Sequence, residues 1–251
     1  MKLLVVNPNT TASMTAKIAA AARTAAATGT EIVAATSAMG PASIEGYYDE
    51  AFAVPGLIAA IREGEGAGAD AAIIACFDDT GLDAARAAVA IPVVGICEAA
   101  LVTAGQIAKR IAVVTTLERS VVPLEEIVAR YGYAARARVS ACDVEVLALE
   151  DAGSDARARL EAEIDRALGL GADAIVLGCA GMADLAAALS ERFGAPVVDG
   201  VAAAVKQAEA LVALGLRTSR RGAYATPRSK PYAGVMSPFA PPAAREILGS
   251  D

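Results

Sequence analysis

The chain has 251 residues, 55% hydrophobic and 20% charged, enough for one large domain or two small ones around a sizeable core, and too apolar for general disorder. Its formal net charge of −7 argues against a nucleic-acid partner, which needs a basic stripe or patch. Histidine is absent, which excludes Ser–His and Cys–His nucleophiles and histidine metal sites, and leaves Cys, Asp, Glu, Lys and Tyr as proton carriers.

Met1-Lys2 runs into Leu3-Leu4-Val5-Val6 and stops at Asn7-Pro8-Asn9, too short for a signal h-region or a membrane span. A cytoplasmic location with no membrane partner is therefore expected, with Cys76, Cys97, Cys142 and Cys179 reduced. No C-x-x-C pair suggests zinc or a redox motif. In chain order, Leu3–Val6 reads as a buried parallel strand and Ala-rich Met14–Ala27 as a helix. Ala72–Ala75 and Pro92–Gly95 read as further strands, and Leu82–Val89 and Glu98–Lys109 as helices.

The pattern then repeats. Arg110–Thr115 matches Lys2–Asn7 at an offset of 108, Gly171–Cys179 matches Gly68–Cys76 at 103, and Pro196–Asp199 matches Pro92–Gly95 at 104. Three blocks in one order indicate a duplicated unit. With helices expected at Ser154–Leu168 and Gly200–Leu216, the fold class is α/β: two pseudo-symmetric domains, each a mostly parallel sheet flanked by helices, with a cleft between. The first comprises 1–100 plus 205–220, the helix from Gly200 returning to brace it while Glu98–Lys109 does the reverse. The second comprises 101–204. An extended tail, 221–251, follows. Arg217, Arg220, Arg221, Arg228 and Lys230 lie there or just before it, among Pro227, Pro231, Pro238, Pro241 and Pro242. They read as an arm over the body or a neighbouring subunit rather than a phosphate site.

Ligands of open parallel sheets bind beyond the carboxyl ends of strands, where Cys76 and Cys179 both fall. A helix N-terminus facing each is expected to lower its thiol pKa. A lone cysteine is more often core, and Cys97 and Cys142, without repeat partners, keep that reading. A matched pair facing across a cleft suits inversion of a carbon acid, with a thiolate on one face and a thiol on the other. N–H groups after each cysteine would stabilise the carbanion, and Gly178 and Gly181 would let backbone approach the ligand. No G-x-G-x-x-G or P-loop motif appears and no lysine suggests a Schiff base, so no cofactor and no metal is implied. Asp78, Asp79, Glu98 and Asp199 lie near strand ends, where capping of helices is the plainer role.

These residues carry a likeness. Val6-Asn7-Pro8-Asn9-Thr10, Gly40–Gly46, Cys76-Phe77-Asp78-Asp79-Thr80-Gly81-Leu82-Asp83, Leu177–Met182 and Gly215–Ser219 together resemble the hydantoin racemase group of the aspartate/glutamate racemase superfamily, from Lys2 to about Tyr232. The resemblance implies an isomerase without a cofactor, with one catalytic cysteine per domain, Cys76 and Cys179. Members acting on free amino acids carry Asn-Thr and Thr after the two cysteines. Here Phe77-Asp78 and Ala180 stand instead, which disfavours a carboxylate substrate and favours a neutral cyclic ureide, a 5-substituted hydantoin or allantoin. Asn7, Thr115 and Thr116 have two readings, ring-binding groups or residues closing strand ends. Ile44 and Phe77 are either pocket walls or core, and Gly181 joins Ala180 in the expected substrate-binding set. Homo-oligomerisation is expected from the family and the tail. Allantoin racemisation is the nearest rival function. A decarboxylase or cis–trans isomerase of the superfamily, or a two-lobed binding protein, are more distant ones.

Overall fold

The computed structural model describes residues 1–146, 148 and 153–241. Its first half runs β1 (Lys2–Asn7), α1 (Ala12–Ala25), β2 (Glu31–Thr36), α2 (Tyr47–Gly66), β3 (Ala71–Ile74), α3 (Leu82–Ala88), β4 (Val93–Gly95) and α4 (Ile96–Ile107). The second half runs β5 (Ile111–Thr115), α5 (Val121–Arg130), β6 (Ala137–Ala141), α6 (Ala156–Gly169), β7 (Ala174–Leu177), α7 (Ala186–Phe193), β8 (Val197–Asp199) and α8 (Gly200–Ala213). Two parallel four-stranded sheets result, ordered β2-β1-β3-β4 and β6-β5-β7-β8. The α/β class expected from the repeats is what forms, and the matched blocks become β1 and β5, β3 and β7, β4 and β8.

Strand residues alternate between two layers, as a period of two requires. Leu3, Val5, Ile73 and Val94 of the first sheet join Ile111, Val113, Val176 and Val198 of the second in one shared core. Leu4, Val6, Ala72 and Ile74 face an outer core under α2 and α3. Ala112, Val114, Ile175 and Leu177 face another under α6. Each such Leu, Ile or Val contributes about 1.5–3 kcal/mol on burial, so the shared layer binds the halves to one another. At its centre α4 packs on β7 and β8, and α8 on β1, β3 and β4, while α4 and α8 lie against each other, and α1 and α5 add Ile18 and Leu124 to the same core.

Beyond α8, the chain crosses α3. The Arg220 guanidinium donates to the carbonyls of Arg86, Ala87 and Val89 at 3.2, 3.1 and 2.7 Å, and Tyr224 Oη donates to Asp83 Oδ1 at 2.8 Å. Arg220 thus satisfies carbonyls that a helix end leaves open. Pro242 and the rest of 242–251 lie outside the described residues. No described helix is long and apolar enough to cross a membrane.

Candidate functional site

Cys76 follows β3 by two residues, and Cys179 follows β7 by two. Pairing of Val6 with Ile74 and of Val114 with Leu177 sets the two strand ends in equivalent registers. Both thiols are free and half-buried, and both line one narrow cavity of about 40 Å³. Of the residues expected at the site, Asn7, Ile44, Phe77, Asp78, Thr115, Thr116 and Ala180 share that wall. Gly181 does not: it lies behind Cys179, with its backbone N–H directed at the Cys179 sulfur. The N–H of Asp78 is directed in the same way at the Cys76 sulfur, so each thiol meets the amide two residues on. Cys97 and Cys142 are buried in the shared core and the second outer core.

The cavity also takes in Asn9, Met14, Ser120 and Val146, which the sequence did not point to. Met14 stands at the start of α1 and Ser120 just before α5, on equivalent crossovers, so the repeat itself was the signal for both. Val146 follows β6 as Ile44 follows β2, on the equivalent connection of the other half. Asp78 also belongs to a wider hollow of about 430 Å³ lined by Tyr47, Glu50, Leu82, Pro123, Ile127 and Arg130.

The expected lowering of the thiol pKa values is overturned. Burial pushes Cys76 well up, with the Asp78 carboxylate adding to it, and pushes Cys179 up to about 11. Desolvation outweighs the donors around each sulfur, because a thiolate loses more in leaving water than one or two N–H groups return. The Thr80 hydroxyl, buried and with no other hydrogen-bond partner among the described residues, opposes the shift at Cys76. A charge on Cys179 also disfavours one on Cys76, which favours one thiolate beside one thiol. Asp78 is itself raised to about 7 by burial and then by the neighbouring Glu50 and Asp79 carboxylates.

Several polar groups are committed to the frame. Asn7 Nδ2 donates to Asn9 Oδ1 at 2.7 Å, to the Thr11 carbonyl at 3.2 Å and to Thr15 Oγ1 at 3.0 Å, closing the turn from β1 into α1. Thr115 Oγ1 donates to the Gly178 carbonyl at 3.2 Å, tying β5 to the end of β7. Gly178 also lines the cavity, and it packs closely against that neighbour. A Cβ there would stand 2.9 Å from the Val114 carbonyl oxygen and 3.0 Å from the Thr115 Cα and Cβ. Asp199 caps α8, accepting from the Val201 and Ala202 amides at 3.0 and 2.8 Å. Asp79 caps a helix too, though α4 and not the α3 that follows it. Glu98 pairs with Arg86 at 2.6 Å.

Residues 3–208 match the family model described as Asp/Glu/Hydantoin racemase. A hydantoin racemase of Rhizobium meliloti is 49% identical over 236 residues, 93% of this chain and 98% of that one. A hydantoin racemase of Pseudomonas sp. (strain NS671) is 45% identical over 241 residues, 95% and 97% of the two chains. The solved structure of an allantoin racemase from Klebsiella pneumoniae is 44% identical, with a TM-score of 0.93 over 96% of this chain and 99% of that one.

Proposed function

We propose, from the premise that the chain belongs to the Asp/Glu/Hydantoin racemase family and is a racemase, that it inverts C5 of 5-monosubstituted hydantoins through Cys76 and Cys179. The observation that carries this is the pair of thiols at repeat-equivalent strand ends on the wall of one cavity. In one direction a thiolate takes the C5 proton, its S–H bond forming as the C–H bond breaks, and the electron pair passes into the adjacent ring carbonyl. The opposite thiol then delivers its proton to the other face of C5 and is left as the thiolate. The reverse direction exchanges the roles, so no net proton is consumed. A thiol raised by burial is scarce as thiolate near neutrality but is the stronger base when it ionises.

The remaining polar groups sort by what they already do. Asn7 and Thr115 spend their side chains on the frame, so ring contacts fall to Thr116 and to Asp78, whose carboxylate suits a ring N–H and repels an α-carboxylate. The Phe77 and Ala180 positions support the same exclusion. The ring lies against the two thiols beside Ile44, with the C5 substituent directed past Asp78 into the wider hollow. Allantoin, a hydantoin with a ureido group at C5, is the second reading. It is favoured by the 44% identity to an allantoin racemase and by acceptors such as Glu50 in that hollow.

The test is proton NMR in D₂O on enantiopure 5-substituted hydantoins and allantoin, with wild type, Cys76→Ala and Cys179→Ala. Wild type should exchange the C5 hydrogen and racemise. Each alanine variant should lose racemisation, keeping exchange of at most one enantiomer. Racemisation at full rate by either variant would sink the two-thiol reading, and the substrate turned over fastest decides between the two ureides.

A further inference from the structure

The repeat alignment sets Gly95 against Asp199, at the N-caps of α4 and α8. Their backbones agree, with φ −88° and ψ 143° at Gly95 against φ −88° and ψ 129° at Asp199. Asp199 accepts from the amides two and three residues on, as an N-cap does. Gly95 has no carboxylate to offer, yet the equivalent amides are satisfied. Cys97 N donates to Asp79 Oδ1 at 3.0 Å and Glu98 N to Asp79 Oδ2 at 2.9 Å. The substitution is spatial as well as chemical: a Cβ on Gly95 would lie 2.3 Å from the Asp79 Cγ. One carboxylate position serves both halves, but in the first half it is supplied from the turn that bears Cys76.

Phe77 and Leu82 bury the two flanks of that turn, and Asp79 ties down its middle. The Asp79 N–H donates to the Cys76 carbonyl at 3.0 Å, and Asp79 takes a positive φ of 46°, a conformation most side chains avoid. Tyr131, at the end of α5 in the other half, donates its hydroxyl to Asp79 Oδ2 at 2.7 Å. The Asp79 side chain is thus held by α4 and by the second half together, while its backbone holds Cys76. Among the described residues no side chain of the Cys179 turn reaches the first amides of α8, because Asp199 occupies that place itself.

We propose that Asp79 is a positioning residue for Cys76: by lending its carboxylate as the cap of α4, it sets where the first thiol stands against the substrate, a tether the second thiol lacks. The proposal rests on the two-thiol reading above. It predicts an asymmetric defect, since capping alone would affect stability and both enantiomers alike.

The test uses Asp79→Ala, and the double variant Asp79→Ala with Gly95→Asp, which returns a carboxylate to the cap from the helix's own residue and leaves the Cys76 turn untethered. Cys76→Ala identifies the enantiomer whose C5–H exchange in D₂O depends on that thiol. Asp79→Ala should lower the Tm by at least about 2–4 °C, the loss of one cap, with a further fall from alanine at a left-handed φ, and the double variant should restore the share due to the cap. In both variants exchange of the Cys76-dependent enantiomer should fall by about tenfold or more, as a misplaced base requires, with the other enantiomer little changed. Recovery of both exchange rates in the double variant, or an equal fall for both enantiomers, would overturn the proposal and leave Asp79 a cap only. If Cys76→Ala silences neither enantiomer, the two-thiol reading has failed and the proposal falls with it. Should the double variant not fold, Asp79→Asn, which tolerates the left-handed backbone, is read for the same asymmetry.

Discussion

Gly178→Ala tests whether the position of Cys179 is set by contact between β5 and β7. The added methyl would meet the Val114 carbonyl oxygen at 2.9 Å and the Thr115 Cα and Cβ at 3.0 Å, about half an ångström short of ordinary contact. Two of those three atoms are backbone, so no flexible side chain can yield, and the end of β7 has to move. Overpacking of this kind costs about 1–3 kcal/mol, and in a chain of this size each kcal/mol lowers the Tm by about 2–4 °C. The strain falls on the Thr115 Oγ1 to Gly178 carbonyl bond of 3.2 Å and on the residue immediately before the thiol. Displacement of a reacting group by a fraction of an ångström to one ångström costs up to about 100-fold in rate. Thermal melting with polarimetry on a single hydantoin enantiomer separates the two effects. A loss of racemisation at temperatures where the variant remains folded is expected. A variant with wild-type Tm and kcat would refute the reasoning, because the strand ends would then have room that the distances deny them.

Other outcomes follow from the electrostatics. Asp78 has a folded pKa of about 7, above its value in the unfolded chain. Its contribution to stability is therefore present below about pH 4 and is lost as pH rises through 7. Asp78→Asn should be more stable than wild type at pH 8, by at most about 4 kcal/mol, and melt correspondingly higher, with the gap closing by about pH 4, while racemisation weakens. An unchanged or lower Tm at pH 8 would show that the carboxylate is not desolvated. With Cys179 at about 11 and Cys76 pushed well up, the enzymatic kcat/KM should climb between pH 7 and 9 by about tenfold per unit, and a plateau at pH 7 would count against raised thiols. Thr80→Val removes the hydroxyl that favours the Cys76 thiolate. It should move the pH–rate profile further to the alkaline side with no loss of Tm, since among the described residues that hydroxyl has no other partner to forfeit. A fall in Tm with an unmoved profile would make Thr80 a packing residue only.

The parts legible in the sequence are those a short window encodes. Val5-Val6, Ile73-Ile74 and Val176-Leu177 are β-branched or aliphatic on consecutive positions because both faces of their strands are covered, and the cysteines beyond them are visible by offset alone. The edge strands β2 and β6 were missed: Glu31–Thr36 and Ala137–Ala141 carry one covered face or less, and a mixed pattern of that length resembles a loop. The 20-residue α2 was missed as well, since Pro55 and Gly56 interrupt it where propensity predicts a break. The direction of the thiol shifts failed for a different reason. A helix N-terminus is a local feature, but desolvation sums over neighbours from α2, from the Asp78 turn and from the other half, and none of those is adjacent in sequence. The mismatch of Gly95 with Asp199 joins both cases. The two blocks, Pro92-Val93-Val94-Gly95 and Pro196-Val197-Val198-Asp199, differ at that position alone. Its meaning required knowing that Asp79, sixteen residues earlier, fills the space a side chain at Gly95 would take, so that a residue absent from one strand end is accounted for by the turn holding the thiol of another.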